Sequence, residues 1–359
     1  MSGDGSAQRC DHQQPLPAEE SPAISAVMFS AGLLGNLTAL ALLARHRLGR
    51  RGRPLSLFHV LVTVLVLTDL LGTCLVSPVV LASYGRNRTL LALAEGGRLC
   101  LYFAFAMSFF GLATMLVLFA MALERCLALG RPYLYERFLR RRSALPLALP
   151  ALYALAAAFC ALPLLGFGRY VQYCPGTWCF IQMRLGRAAQ EAPGAWEDAY
   201  SLLYATLLLL LILAVLLCNL SVIRNLVGMH RRGQTSRRLA SLEQPAGRRR
   251  LSMSEEVDHL ILLAIMTITF IVCSLPFTIR AYMNKFMQNE DYKKDLLALR
   301  FLAINPIIDP WVFVILRPSV LRVIRSVLCC RISLKTQANM QTTPAAESKS
   351  NKQIDLCGQ

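Results

Sequence analysis

Among the charged side chains that interrupt otherwise almost wholly apolar stretches of this 359-residue chain, five call for explanation: Asp69, the neighbours Glu124 and Arg125, Arg300, and Asp309. Charge is costly in such surroundings, so each is a candidate for chemistry. A lone arginine can grip a carboxylate through two parallel hydrogen bonds, which the point charge of a lysine cannot do. Two aspartates buried near one another cannot both ionise cheaply, so one takes a proton or the pair shares a cation. A Glu-Arg pair leaves its helix end locally neutral. The equipment of catalysis is missing: His12, His46, His59, His230 and His259 do not cluster at metal-ligand spacing, and there is no glycine-rich phosphate loop. No enzyme, metal centre or cofactor is expected.

The elements that must position these residues follow from composition. The chain is 55% hydrophobic and 16% charged, with mean hydropathy +0.47, which suits lipid better than water. A spanning helix needs about 20 apolar residues, because backbone groups left unpaired in hydrocarbon are expensive. Seven runs qualify: 24–44, 57–82, 99–127, 144–167, 200–227, 259–282 and 296–316. The expected fold is all-α, an integral membrane bundle of seven helices followed by a short amphipathic cytoplasmic helix over 319–330. The expected division is a disordered polar segment at 1–22, the bundle at 23–331, and a tail at 332–359 rich in Ser, Thr, Gln, Lys and Asn. The first run is too long for a signal-peptide core and has no small-residue cleavage site, so it is read as a retained span.

With the N-terminus outside, the inner segments hold 26 of the 38 Lys and Arg residues, which favours that orientation. The pI of 9.7 is accounted for by short loops facing anionic lipid, so nucleic acid is not expected as a partner. No repeated halves with matching broken helices are present, which weighs against the transporter alternative.

Smaller features mark the surface. Cys100 opens the third run on the outer side, and a bridge from it to Cys174 or Cys179 would pin the long outer loop over the bundle; spacing leaves both open. Asn87-Arg88-Thr89 is a glycosylation sequon in the first outer loop. Cys329 and Cys330, just past the seventh run, are palmitoylation candidates. Arg249-Arg250-Leu251-Ser252 is similar to a basophilic kinase site, where phosphate on Ser252 would add negative charge to a basic loop.

Together with Gly35-Asn36, Asp69, Glu124-Arg125, Pro276 and Asp309-Pro310, these features resemble the rhodopsin-like G-protein-coupled receptors over nearly all of 24–331. Three departures narrow the resemblance. Glu124-Arg125-Cys126 stands where Asp-Arg-Tyr is usual, Cys273-Ser274-Leu275-Pro276 lacks the usual Trp, and Asp309-Pro310-Trp311-Val312-Phe313 replaces Asn-Pro-x-x-Tyr. These, and above all Gln172-Tyr173-Cys174-Pro175-Gly176-Thr177-Trp178-Cys179-Phe180, resemble the prostanoid receptors. Longer stretches at 21–34, 56–84, 102–125, 258–284 and 308–334 are similar to the subtype-two group of prostaglandin E receptors. The prostaglandin D receptors, which Gly166-Phe167-Gly168 also resembles, are the alternative.

The resemblance implies a plasma-membrane receptor for a lipid-derived acid, coupled through a stimulatory heterotrimeric G protein to a rise in cyclic AMP. It implies that Cys179 pairs with Cys100. It places the ligand carboxylate on Arg300, with hydroxyl support from Tyr84 and Thr177, and keeps Met28 and Met115 as pocket candidates. It makes Arg125 the G-protein contact, restrained at rest by Glu124. For the aspartate pair, Thr114 and Asn305 are the further oxygen donors of an expected ion site, with a protonated, water-bridged pair as the alternative. Pro306 stands where the family has a small polar residue, so the lower wall of the pocket is expected to differ.

Overall fold

The structure, a computed structural model, describes residues 16, 21–49, 56–139, 144–183, 195–239, 246–286 and 292–316. Seven of its helices are long and apolar enough to cross a membrane: α1 (Ala23–Gly49), α2 (Leu57–Gly85), α3 (Arg98–Gly130), α4 (Ala144–Ala161, continued by a 3-10 turn, Leu162–Leu165), α5 (Ala195–Leu239), α6 (Ala246–Phe286) and α7 (Tyr292–Ile315). One antiparallel hairpin, β1 (Tyr170–Tyr173) with β2 (Trp178–Ile181), lies between α4 and α5.

All seven apolar runs are helical at their centres, but several helices outrun them. α5 continues to Leu239 and α6 begins at Ala246, well outside the apolar segments. Hydropathy reports the length that lipid demands, whereas helix hydrogen bonding propagates into polar sequence where no Pro stops it, here even across Gly228 and Gly233 of α5. The fourth run ends early instead: Pro163 falls in the 3-10 turn and the α-helix stops at Ala161.

α3 is the axis of the bundle, packed against α2, α4, α5, α6 and both strands. Its core side chains are small or flexible, among them Ala104, Ala113, Met115, Val117 and Met121, so neighbouring helices approach closely. The two prolines of α7 leave backbone carbonyls without helical donors. One is satisfied from across the bundle. Pro310 has no N–H for the Pro306 carbonyl four residues earlier, and Asn36 Nδ2 of α1 donates to it at 3.2 Å, as well as to Gly32 O at 2.9 Å. Trp311 Nε1 adds a bond to Ala31 O at 3.2 Å, its ring filling the space that Gly35 leaves by having no side chain.

The hairpin covers one end of the bundle and is held from several directions. Cys179 is bonded to Cys100 at the start of α3, and every side chain of β2 is buried. Cys174 is also disulfide-bonded. Leu90 N donates to Gly176 O at 2.9 Å, and Leu91 N to Gln172 Oε1 at 3.0 Å. Gly176 has φ +110°, and a Cβ there would lie 2.5 Å from Thr89 Cγ2, so only glycine suits both the turn and the close approach. Beneath the strands, Tyr170 OH donates to Cys160 O at 2.7 Å and shares a 2.9 Å bond with Ser108 Oγ. Burial pushes this phenol above its ordinary range, so it stays a neutral hydrogen-bonding group.

Candidate ligand cavity and the two polar centres

Below the hairpin a cavity opens between α1, α2, α3 and α7. Its walls include Ser25 and Met28 from α1, Thr73, Ser77 and Val80 from α2, Met107 and Phe110 from α3, and Ala303, Pro306 and Ile307 from α7; Trp178 roofs it and Asp69 and Thr114 border it deeper in the bundle. Helical spacing produces these walls: residues 73, 76, 77 and 80 recur on one face of α2, and 303, 306 and 307 on one face of α7. The result is a mainly apolar cleft with a few hydroxyls, as suits a lipid-like ligand.

The three residues expected to hold a carboxylate do not line this cavity but lie one step beyond its lining. Arg300 is three residues before Ala303 and seven before Ile307, which puts it on the lining face about one turn toward the hairpin end. Tyr84 stands one turn beyond Val80 on the lining face of α2 by the same spacing, and both side chains are half-buried. Thr177 directly precedes Trp178; it is fully buried, and its Oγ1 has no hydrogen-bond partner among the described residues. Trp178 Nε1 is likewise buried and unpartnered there. Met28 does line the cavity. Met115 does not: it is 2% exposed and packed in the core, and Met107, eight residues nearer the start of α3, takes the lining position. An eight-residue shift is two helical turns and about 80° more, so the two methionines differ in heading as well as in depth.

The aspartates sit deeper, both essentially buried. Thr114 Oγ1 donates to Asp69 Oδ1 at 2.7 Å, and Asn305 Nδ2 to Asp309 Oδ2 at 3.2 Å. The two carboxyl groups lie within electrostatic range of one another. Asp69 Oδ2, Asp309 Oδ1, Asn305 Oδ1 and Asn36 Oδ1 are buried with no donor among the described residues. Oxygens alone are what a shared proton or a hard cation requires. Among the described residues no group of three or more His, Cys, Asp or Glu could hold a metal ion, so a cation here would rest on two carboxylates with amide and hydroxyl oxygens.

The second polar centre lies at the opposite end, around Arg125. Both Glu124 and Arg125 are buried, and the guanidinium meets the carboxylate twice, through Nε to Oε2 and through Nη2 to Oε1 at 2.6 Å. Tyr135 OH donates to Glu124 Oε1 at 3.1 Å. Phe58 of α2 lies beneath the guanidinium, 5.1 Å from ring centroid to Cζ. Arg125 Nη1 reaches His259 Nδ1 of α6 at 3.4 Å.

Three of the histidines, which the sequence reading found not to cluster at metal-ligand spacing, meet through their rings. His46 stacks on His59 at 4.8 Å and His59 meets His259 edge-on at 5.9 Å. They come from the end of α1, the start of α2 and α6. Helices that run back and forth bring such ends together, and separations of 13 and 200 residues hide it. Asn87 is exposed in the turn after α2, at φ 50°, a conformation asparagine tolerates. Ser252 falls within α6, with its side chain outside those described, and Cys329, Cys330 and the amphipathic stretch lie outside the described residues.

Comparison with known proteins agrees with this architecture. The family model described as 7 transmembrane receptor (rhodopsin family) matches residues 35–313. The chain is 62% identical over 369 residues to the human prostaglandin E2 receptor EP2 subtype, covering 99% of each chain. It is 61% identical to the same receptor of Mus musculus, covering 98% of this chain and 96% of that one. Identity to the prostaglandin D2 receptor of Bos taurus is 49%, over 88% of this chain and 90% of that one.

Proposed function

We propose that this chain, which belongs to the rhodopsin family of seven-transmembrane receptors and within it to the prostanoid receptors, is a receptor for prostaglandin E that couples to the stimulatory G protein and raises cyclic AMP. The observation that carries the reading is the position of Arg300, one helical turn beyond the apolar cavity on the face that lines it. A prostanoid is a fatty acid with a carboxylate at one end, two apolar chains and an oxygen-bearing ring. An apolar cleft with a fixed guanidinium at its mouth matches that layout.

In this reading Arg300 takes the carboxylate in a bidentate grip, and the hydroxyls of Thr177 and Tyr84 complete its hydrogen bonds. The unpartnered, buried Oγ1 of Thr177 supports this, because a buried hydroxyl without a partner is costly unless the ligand supplies one. The apolar chains lie among Met28, Val80, Met107 and Phe110, and Pro306 removes a polar contact from the deeper wall. The hairpin faces the outside, and the N-terminus with it, so that the basic end around Arg125 faces the cytosol. The ligand favours the arrangement in which the cytosolic end of α6 stands away from α3 and Arg125 is free to meet the G protein; signalling is that shift of population.

The ion or proton shared by Asp69 and Asp309, glycosylation at Asn87, acylation of Cys329 and Cys330, and phosphorylation of Ser252 belong to the same proposal. Cyclic AMP in cells expressing the chain, titrated in parallel with prostaglandin E and prostaglandin D, tests it. A response at lower concentration with prostaglandin E is expected. Preference for prostaglandin D would move the assignment to the alternative that the 49% identity keeps open.

A further inference from the structure

Among the described residues, the lining of the ligand cavity comes from α1, α2, α3, α7 and Trp178, and none of it from α5 or α6. The movement assigned to the ligand is nevertheless a movement of α6. The strand β2 reaches both.

Side chains two residues apart on a strand share a face. On β2 these are Trp178 and Phe180, both buried, and they meet different parts of the bundle. Trp178 roofs the cavity and meets Phe103 of α3 edge-on at 5.8 Å. Phe180 meets Tyr204 of α5 at 6.0 Å and Phe277 of α6 at 5.4 Å, and Tyr204 meets Phe277 at 5.8 Å. The interplanar angles are 88°, 90° and 89°, the edge-to-face arrangement that aromatic pairs prefer, and all three side chains are fully buried. Cys179, between Trp178 and Phe180, is bonded to Cys100 at the start of α3. The strand thus carries a cavity-lining ring before its anchor and a ring on α6 after it.

β2 is built to move as one piece. It pairs with β1 from Tyr173–Trp178 to Tyr170–Ile181, and a close-packed interior passes a shift on rather than absorbing it. The receiving point on α6 is a weak one: Phe277 follows Pro276, which has no N–H for the Val272 carbonyl four residues earlier. His259 lies 18 residues, about 27 Å, from Phe277 along α6, so a small tilt at the rings becomes a large displacement beside Arg125.

We propose that β2 is a relay from the ligand cavity to α6: a ligand under Trp178 tilts the strand about the Cys179–Cys100 anchor, and Phe180 passes the tilt to Phe277. Phe180 is then a positioning residue that touches no ligand. The inference rests on the proposed function, in which prostaglandin E fills the cavity and α6 swings away from α3.

The test uses the full chain in lipid nanodiscs and labelled prostaglandin E, with binding measured in the presence and absence of the nucleotide-free stimulatory G protein. Ligand and G protein must raise each other's affinity by the same factor, so the gain in ligand affinity on adding the G protein reads the coupling directly. Phe180→Leu and Phe277→Leu should each reduce that gain by about 2- to 12-fold, the loss of an edge-on ring pair, while affinity without the G protein stays near the unsubstituted value because neither ring lines the cavity. Either variant suffices if the other does not fold. The double variant should lose less than the product of the two single effects, since both break the same pair. Tyr204→Phe keeps all three rings and should keep the gain; it removes only the 3.0 Å bond from Tyr204 OH to Ser108 O. A gain that survives both leucine substitutions would leave α3 and α7 as the carriers and overturn the relay alone. A loss of affinity equal in size with and without the G protein would mean that the rings only shape the site, and also overturns it. No binding of prostaglandin E by the unsubstituted chain, or no gain on adding the G protein, overturns the proposed function and the relay with it.

Discussion

The two ends of the bundle are held together by different kinds of bond. At the hairpin end the ties are covalent or fully buried: the Cys100–Cys179 bridge, backbone bonds from Leu90 and Leu91 into the hairpin, and Arg280 Nε of α6 on Asp295 Oδ1 of α7 at 2.7 Å, with Asn284 adding 3.1 Å. Tyr282 of α6 also shares a 2.7 Å bond with Thr206 of α5. At the Arg125 end, the ties of α6 to other helices include a 3.4 Å contact to Arg125, ring contacts with Phe58 and His59, and, further in, Asn219 Nδ2 to Thr267 Oγ1 at 2.9 Å. A buried ion pair resists separation more than a 3.4 Å contact and ring packing do, so a movement of α6 is expected to pivot beside Arg280.

The largest expected effect is at the pivot. Asp295 is fully buried, so Asp295→Asn removes the buried charge that Arg280 Nε meets at 2.7 Å and should cost about 3–5 kcal/mol of stability, read as a lower melting temperature of the purified receptor. Removing the bridge by Cys100→Ala with Cys179→Ala comes next. The bond closes a separation of 79 residues, and chain entropy puts its loss at about 4.5 kcal/mol, within the about 2–5 typical of native bridges. If either change left stability intact but raised basal cyclic AMP, the pivot would be at the wrong end.

Seven spans were legible in the sequence because lipid imposes one requirement on every residue that faces it. Arg300, Asp69 and Asp309 were legible for the same reason, since intramembrane charge stands out against apolar neighbours. Direction was not. Whether Met107 or Met115 lines the cavity depends on heading and depth along a helix with neighbours on most sides, and Thr73 and Ser77 become visible as lining only when α7 is placed opposite them. Trp178 read as part of a motif, while its unpartnered N–H above the cavity needed the hairpin's register. The histidine cluster was illegible because its members sit on three helices, and Asn36 reads as part of a motif until Pro310 is seen to leave the Pro306 carbonyl without a donor.

Arg300→Ala sharpens the comparison from the ligand's side. It should cost about 2–5 kcal/mol of binding, roughly 30- to several-thousand-fold in affinity for the acid, by leaving a carboxylate unpaired. Competition binding with prostaglandin E and with its methyl ester checks this. The ester, which lacks the charge, should bind the variant and the unsubstituted receptor with similar affinity, whereas a site that had merely collapsed would lose both. An acid affinity unchanged by the substitution would remove Arg300 from the carboxylate role.

The smallest effect is the most diagnostic, because it sets two hydroxyl deletions of similar size against each other. Thr267→Val removes the bond from Asn219 on the half of α6 nearer Arg125, and Ser108→Ala removes a bond to Tyr170 beneath the hairpin, where the phenol still donates to Cys160 O. A bond between spans is worth about 0.6 kcal/mol on average, a factor of roughly three in an equilibrium. Thr267→Val should raise ligand-independent cyclic AMP by about that factor when the bond is present only in the closed arrangement, and Ser108→Ala should leave it unchanged because the hairpin end keeps its shape in both. Equal responses from the two variants, at matched surface expression, would mean that the ends loosen together and that α6 has no fixed pivot.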